Sequence, residues 1–320
     1  MKSLKELFRI GYGPSSSHTM GPRTAAEQYL AKHTDALRFR VTLYGSLAAT
    51  GRGHLTDHAI LSVLGEERCD IVWRPEIVLP YHPNGMKFEV LDALGAPREP
   101  WIVYSVGGGA LAEEGVSALQ TPDIYPLDHL NDIIAWCDER GLSYWQYVEQ
   151  CEESDIWDYL SEVWKAMREA VERGLETEGV LPGGLNLRRK APHYFIKAKG
   201  YSSNLQTRGL VFSYALAVTE ENASGGRIAT APTCGSCGVV PAVLYHIQQS
   251  RQFSEKRILH ALATAGLVGN IAKSLASISG AEAGCQAEVG VACAMAAAGA
   301  NYIFGGSLQT TEYAAEMGLE

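Results

Sequence analysis

The first hundred residues alternate apolar and polar positions with the two-residue period of a β-strand. Between residues 37 and 43, Leu, Phe, Val and Leu take every second position, with Arg, Arg and Thr between them. This spacing predicts a strand with one buried face. Three further strands are predicted at residues 69–73, 87–91 and 101–106, which are rich in Val, Ile and aromatic residues. Pro22 and Asp57 mark the predicted starts of two intervening helices, which end near Lys32 and Leu64.

After Pro126 the strand pattern disappears and the apolar spacing becomes helical. Helices are predicted over residues 130–140, 155–176, 207–218, 239–249, 256–275 and 281–304. Residues 281–300 are so rich in Ala and Gly that neighbouring backbones are expected to approach this helix closely. The predicted fold class is therefore an α+β N-terminal domain, residues 1–125, followed by an all-α helical domain, residues 126–320.

Composition and charge narrow the range of partners. The chain has 320 residues, of which 46% are hydrophobic and 20% charged, and two domains are expected at this length. The net charge of −9 argues against a nucleic-acid or anionic membrane surface, because both require a basic patch. We find neither a signal peptide among the first ten residues nor a run of about 18 apolar residues. These observations predict a cytoplasmic protein whose partner is a small molecule or another subunit.

Four hydroxyl side chains and an imidazole lie together in one short loop before a predicted helix. They are Ser15, Ser16, Ser17, His18 and Thr19. Backbone amides at a helix N-terminus, together with hydroxyl donors, can hold a carboxylate or phosphate without a formal cation. A serine-rich capping turn explains the same residues equally well and stays open as an alternative.

A second polar segment, residues 51–58, follows the first predicted strand and contains His54 between glycine and leucine. A histidine at a strand end can act as a general base, although a solvated loop histidine is the simpler interpretation. Residues 81–85, which include His82 and Asn84, are explained by turn chemistry when taken alone.

The seven cysteines are odd in number and scattered, unlike the disulfide framework of a small secreted protein. Cys234 and Cys237 form a CxxC segment before a predicted helix, which indicates half a metal site, a redox pair or a tight glycine-rich loop. In a continuous helix Cys285 and Cys293 would lie about 12 Å apart, too far to share one metal ion. Cys293 is then a core residue, and Cys285 is the better candidate ligand.

Seven separated motifs support a family resemblance. They are GPSSSHTMGP (13–22), YGSL (44–47), GRGH (51–54), NGM (84–86), SVGGG (105–109), EENASGGR (220–227) and SISGAEAGCQ (277–286). In this order they closely resemble the bacterial iron–sulfur L-serine dehydratases in their single-chain form. The resemblance spans nearly the whole chain. It implies that residues 1–125 form a β domain related to regulatory folds of serine biosynthesis and that residues 126–320 form the α domain, which carries a [4Fe-4S] cluster.

The resemblance also implies a reaction and residue roles. L-serine is converted to pyruvate and ammonia, with a cluster iron as Lewis acid at the β-hydroxyl and a base at the α-carbon. By match of motif, His54 is the base and Cys285 is a cluster ligand. The loop from Ser15 to Thr19 holds the substrate carboxylate, and His82 and Asn84 also bind substrate. A homodimer is expected, with no nucleic acid and no membrane as partner.

The chain departs from the family pattern in two places. Family members continue for about eighty residues beyond the equivalent of Glu320, with the remaining cluster cysteines in that segment. Since the predicted helix at residues 310–320 also has no terminating residue after it, we expect a truncated chain that holds iron poorly. At Cys234 many relatives have Asn.

Two rival functions stay open. A pyridoxal-phosphate dehydratase would need a phosphate cup and a Schiff-base lysine, for which residues 224–227 offer a weak match and the lysines have no recognisable context. The other is a non-catalytic serine-binding regulatory or scaffold protein that has lost the cluster.

Overall fold

The computed structural model describes residues 1–115, 122–278, 283–284 and 286–320, and for Asn204 the backbone only. Two compact units divide the chain. The sheet unit is Tyr12–Gln120, and the helical unit combines Met1–Gly11 with Thr121–Glu320. This division differs from the predicted limits of 1–125 and 126–320 chiefly in the first eleven residues, because the buried side chains of Leu4 and Phe8 lie in the helical core.

The elements are numbered in chain order. The strands are β1 (Ile10–Tyr12), β2 (Arg38–Tyr44), β3 (Cys69–Arg74), β4 (Gly85–Leu91), β5 (Pro97–Gly107), β6 (Ala110–Ala112) and β7 (Arg227–Ala229). The helices are α1 (Gly21–Lys32), α2 (Gly45–Thr50), α3 (Thr56–Leu64), α4 (Leu130–Arg140), α5 (Tyr144–Cys151), α6 (Ile156–Glu176), α7 (Ala191–Lys199), α8 (Ser203–Ala223), α9 (Val239–Arg251), α10 (Glu255–Leu275), α11 (Val291–Ile303) and α12 (Leu308–Leu319). Two π-helical turns, Ser16–Met20 and Gln286–Gly290, lead into α1 and α11.

The sheet unit contains a mixed sheet with strand order β3-β2-β4-β5-β6. β3 runs parallel to β2, and the other neighbours are antiparallel. The predicted alternation is confirmed in β2, where Phe39, Val41 and Leu43 are fully buried in a core shared with α1 and α3. Leu37 is exposed, since the strand begins at Arg38. α3 begins at Thr56, so Asp57 lies in its first turn and does not cap it.

The helical unit has its own core, which joins apolar side chains of α5, α6, α9, α10 and α11 to those of the first eight residues. α11 confirms the expected close approach of neighbouring backbones. A Cβ added at Gly299 of α11 would lie 3.1 Å from the carbonyl oxygen of Ala261 in α10. One added at Gly318 of α12 would lie 2.8 Å from the carbonyl oxygen of Cys293. The start of the predicted helix, residues 281–290, is a π-helical turn at 286–290, and most of 281–285 lies outside the described residues.

Within the described part of the chain, α10 is long and apolar enough to cross a membrane by length and composition, but 56% of its most apolar window is buried inside the protein. A buried core helix meets the same criteria. The helix therefore gives weak support to a membrane span.

Candidate functional site

The serine-rich loop forms the N-terminal turn of a long helical segment. Ser15 caps this turn, because its Oγ accepts from the amide of His18 at 3.2 Å and its own amide donates to Thr19 Oγ1 at 3.1 Å. The amides of Ser16 and Ser17 have no hydrogen-bond partner among the described residues. The helical backbone continues through α1, so these two donors stand at the positive end of its dipole. The turn is suited to hold an anion.

His18 has both ring nitrogens engaged. Nδ1 lies 2.8 Å from Ser17 Oγ, and Nε2 lies 3.0 Å from Ser46 Oγ at the start of α2. Burial, with a smaller contribution from neighbouring His54, lowers the pKa of His18 to about 4. The ring is therefore neutral near pH 7 and has no free lone pair for a proton from a substrate.

His54 lies beside His18, with ring centroids 4.8 Å apart, and its nitrogens are arranged differently. Its Nδ1 is 3.0 Å from the carbonyl oxygen of Thr50. Because a carbonyl only accepts, Nδ1 must carry the proton and Nε2 the lone pair. Among the described residues, Nε2 has no hydrogen-bond partner. His54 therefore has the tautomer that a general base requires.

Two hydroxyl groups tie the loops of His18 and His54 together. Thr19 Oγ1 donates to the carbonyl of His54 at 2.7 Å, and Thr56 Oγ1 donates to the carbonyl of His18 at 2.5 Å. These contacts fix the two histidine backbones relative to each other. Local composition does not reveal the roles of Ser46, Thr50 or Thr56, although Ser46 belongs to the YGSL motif and Thr50 and Thr56 flank the loop of His54.

The loop of His82 and Asn84 adjoins this cluster through Ser46, whose amide donates to the carbonyl of Pro83 at 3.0 Å. His82 Nδ1 accepts from the amide of Asn84 at 3.1 Å, so its proton lies on Nε2 and the ring can donate outward. Burial lowers the pKa of His82. The side-chain Nδ2 of Asn84 donates to the carbonyl of Ser105, whereas Asn84 Oδ1 is buried with no partner among the described residues. An orphaned acceptor at this place fits a role in holding a ligand.

The cysteine loop has a different environment. Cys234 and Cys237 are both buried, and burial, with Glu288 nearby, raises the pKa of Cys234 to about 12. Burial raises the pKa of Cys237 as well. Metal binding requires thiolates, and no group of three or more metal-binding side chains is found within the described ranges. The described residues therefore do not by themselves assemble a cluster site, and the predicted ligand Cys285 lies outside them.

The EENASGGR motif forms an ion-pair network. Glu221 binds Arg173 at 3.1 Å and Arg189 at 2.8 Å. Glu220 accepts from the amides of Lys190 and Ala191 at the N-terminus of α7. The carboxylates thus join α6, α7 and α8. The amides of Ser224, Gly225 and Gly226 donate to carbonyl oxygens of residues 220–222, which leaves little support for a phosphate cup at this motif.

Comparison with known proteins assigns the family. The family described as serine dehydratase alpha chain matches residues 30–320. The L-serine dehydratase of Streptomyces coelicolor is 37% identical, and the match covers 99% of this chain and 82% of the relative. L-serine dehydratase 1 of Escherichia coli is 36% identical, and the match covers 100% of this chain and 82% of the relative. The L-serine dehydratase of Mycobacterium tuberculosis is 38% identical, and the match covers 99% of this chain and 81% of the relative. With matches of this identity along nearly all of its length, the chain belongs to the serine dehydratase family.

Proposed function

We propose that the protein is an L-serine ammonia-lyase, which converts L-serine to pyruvate and ammonia by α,β-elimination. The observation that carries this proposal is the tautomer of His54, whose Nε2 has no partner among the described residues and whose ring lies 4.8 Å from that of His18 in the serine-rich turn. The names of the relatives support the same reaction. No contact among the described residues favours the non-catalytic alternative.

Substrate binding begins at the carboxylate. The amides of Ser16 and Ser17 and the neighbouring hydroxyl groups provide donors at the positive end of a helix, which suits a carboxylate of charge −1. Asn84 Oδ1 is a buried acceptor in need of a donor, and the substrate ammonium group supplies one. His82 offers its Nε2 proton to an oxygen of the substrate. These groups would orient the α-carbon toward His54.

Proton removal falls to His54. Its Nε2 takes the α-proton, and the resulting imidazolium keeps its Nδ1 hydrogen bond to the carbonyl of Thr50. Neighbouring His18, whose pKa is lowered chiefly by burial, stays neutral near pH 7. The β-hydroxyl leaves as water, with the proton that His54 has taken from the α-carbon, and the product is aminoacrylate. Aminoacrylate tautomerises to an imine, which water hydrolyses to pyruvate and ammonia.

The remaining parts of the proposal rest on the family resemblance. A [4Fe-4S] cluster, with Cys285 as one ligand, would supply Lewis acidity for the leaving hydroxyl. The sheet unit corresponds to the β domain and most of the helical unit to the α domain. The protein acts in the cytoplasm as a homodimer on a small molecule, with neither nucleic acid nor membrane as partner.

The test uses protein expressed from its complete reading frame and reconstituted with iron and sulfide without oxygen. We expect a brown iron–sulfur absorbance and release of pyruvate from L-serine. Activity that survives iron chelation and requires pyridoxal phosphate would contradict the proposal. Binding of L-serine without any pyruvate, in cluster-replete protein, would favour the regulatory alternative.

A further inference from the structure

A cavity of about 610 Å³ lies in the helical unit at the start of α7. It is lined by the loop that follows α6 and by the first turns of α7, and it is called the basic groove here. Sites for small molecules typically enclose about 300–1,000 Å³, so the basic groove has the size of such a site. Its lining includes Glu178, Val180, Arg188, Lys190, His193 and Ile196.

Two cationic side chains of the basic groove are available for a ligand. Neither the guanidinium group of Arg188 nor the ammonium group of Lys190 has a hydrogen bond or an ion pair within the described part of the chain. His193 adds an imidazole, whose printed contact is with the ring of Tyr194 at a centroid distance of 6.4 Å. These side chains supply N–H donors, and the oxygen atoms of an anion are the strongest acceptors for them.

The glutamates at the end of α8 do not neutralise these cations, because they have other partners. Glu220 accepts from the backbone amide of Lys190 at 2.6 Å. Glu221 binds the guanidinium group of Arg189, whose side chain is only 7% exposed. Among the described residues of the lining, Glu178 is the one acidic side chain, and the two free cations outnumber it.

The charge of the surrounding sequence also favours an anion. Residues 179–219 contain six of the 27 basic residues and none of the 36 acidic residues. In a chain with a net charge of −9, this stretch is therefore a local region of positive potential. A concave surface strengthens the effect, because walls of low dielectric constant focus the field of the charges that line it.

Backbone hydrogen bonds hold the loop of the basic groove in place. The amide of Leu181 donates to the carbonyl of Leu187 at 2.7 Å, and the amide of Arg189 donates to the carbonyl of Gly179 at 2.9 Å. The segment that carries Arg188 is thus fixed before a ligand arrives. A fixed backbone lowers the entropy that ligand binding has to overcome.

We propose that the basic groove binds a small organic dianion, with phosphate or carboxylate oxygens of the ligand on Arg188 and Lys190. The planar fork of a guanidinium group matches two oxygens of such a group, and the ammonium group adds a point charge. Val180 and Ile196, which are 56% and 68% exposed, provide aliphatic contacts for the carbon portion of the ligand. Since L-serine has no net charge near pH 7, this ligand differs from the proposed substrate.

Titration calorimetry of the complete protein with glycerol 3-phosphate and with succinate tests the proposal. The first probe carries a phosphate, the second carries two carboxylates, and glycerol is the uncharged comparison. We expect saturable binding of one dianion per chain. Arg188→Ala combined with Lys190→Ala should raise its dissociation constant by about 10-fold or more, because two charge-assisted contacts are lost.

Lys197→Ala combined with Arg208→Ala is the matched control. It removes the same charge from the same stretch of sequence, but neither residue belongs to the lining of the basic groove. Affinity for the dianion should stay within about two-fold of the unmodified protein. Circular dichroism establishes that both double variants are folded. Tighter binding of glycerol 3-phosphate would identify a phosphate ligand, and tighter binding of succinate a polycarboxylate.

Three outcomes would overturn the proposal. They are no saturable binding of either dianion below about 10 mM, equal binding of glycerol, or an equal loss of affinity in the two double variants. The last outcome would show that the anion responds only to the net charge of the chain. The titration contains no L-serine and measures heat instead of pyruvate, so its failure is distinguishable from a failure of the proposed dehydratase reaction.

Discussion

Two loops of similar composition have opposite environments. Residues 15–19 and 233–238 are both short, rich in Ser, Thr, Gly or Cys, and placed directly before a helix. In the first, the amides of Ser16 and Ser17 have no partner among the described residues. In the second, Ser236 Oγ lies 3.1 Å from Thr233 Oγ1 and 3.2 Å from the carbonyl oxygen of Ala231.

The two loops differ in which of their hydrogen-bonding groups have partners within the protein. The cysteine loop uses its hydroxyls internally and buries its thiols in protonated form, so it holds structure together. The serine loop uses hydroxyl groups to orient His18, and the backbone amides of Ser16 and Ser17 have no acceptor among the described residues. Loop composition alone therefore does not identify a site, whereas the count of unused donors does.

The largest expected effect concerns the imidazole beside the serine loop. His54→Gln removes the Nε2 base and is expected to lower the turnover of L-serine by about 100-fold or more. Pyruvate release by the reconstituted protein measures it. His58→Gln, at an exposed histidine four residues away, is the control and should leave turnover unchanged. Equal activity of the two variants would move the base elsewhere.

The closed packing of the cysteine loop should appear in stability. Gly238→Ala places a Cβ 2.6 Å from the carbonyl oxygen of Ala215, and we expect a loss of about 1–3 kcal/mol in the free energy of unfolding. Gly53→Ala in the loop of His54 brings a Cβ no nearer than 3.4 Å to Thr50 O and should cost little. Urea unfolding compares the two variants. Similar losses of unfolding free energy in the two variants would show that the cysteine loop is no more tightly packed than the loop of His54.

A smaller effect is expected at the cap of the serine loop. Ser15→Ala removes the acceptor for the amide of His18 and should lower the free energy of unfolding by about 1 kcal/mol. It should also raise KM for L-serine, because the free amides lose their fixed direction. Ser62→Ala on α3 is the control, as its hydroxyl bonds Ala59 and Arg23 outside this loop. An unchanged KM for L-serine would show that the Ser15 cap has no role in substrate binding.

The smallest effect is a pH dependence of stability. The folded-state pKa of His18 lies near 4, below its ordinary value of 6.5, so the unfolded chain binds the extra proton first. The contribution of His18 is fully present above about pH 6.5 and declines as the pH falls toward 4. The ring is partly exposed, which limits the size of this effect. His18→Asn should flatten the fall in melting temperature between pH 7 and pH 5, while His58→Asn should not.

Elements with strong local patterns were predictable from the sequence. The predicted helix at 130–140 coincides with α4 (Leu130–Arg140), and 256–275 is within one residue of α10. α5 was missed, although Ser143 and Gln146 form a capping box at its start. α7 was missed as well, because it is short and two of its larger apolar side chains, Tyr194 and Ile196, are exposed. The β1–β7 pair joins segments more than 200 residues apart, a separation that local periodicity does not report.

The candidate site likewise has features that the local sequence predicts and features that depend on distant contacts. The sequence indicated the serine loop and His54, because both have unusual local composition. It did not indicate that His18 Nε2 meets Ser46, a contact 28 residues away, or that Thr50 sets the tautomer of His54. These contacts arise from the folded backbone. The roles of His54, of the substrate-binding residues and of Cys285 stay predictions.

The place of residues 1–11 has a consequence for synthesis on the ribosome. The amide of Leu4 donates to Glu152, and the carbonyls of Lys2 and Glu6 accept from Asn270 and Lys273. At roughly 5–20 residues per second, about 13–55 s separate the emergence of the first residues from that of their last partners. During that interval the complete sheet unit is available to fold, whereas the N-terminal segment lacks its partners in α10. Nascent chains halted before residue 270 are therefore expected to lose this segment to a protease while the sheet unit survives.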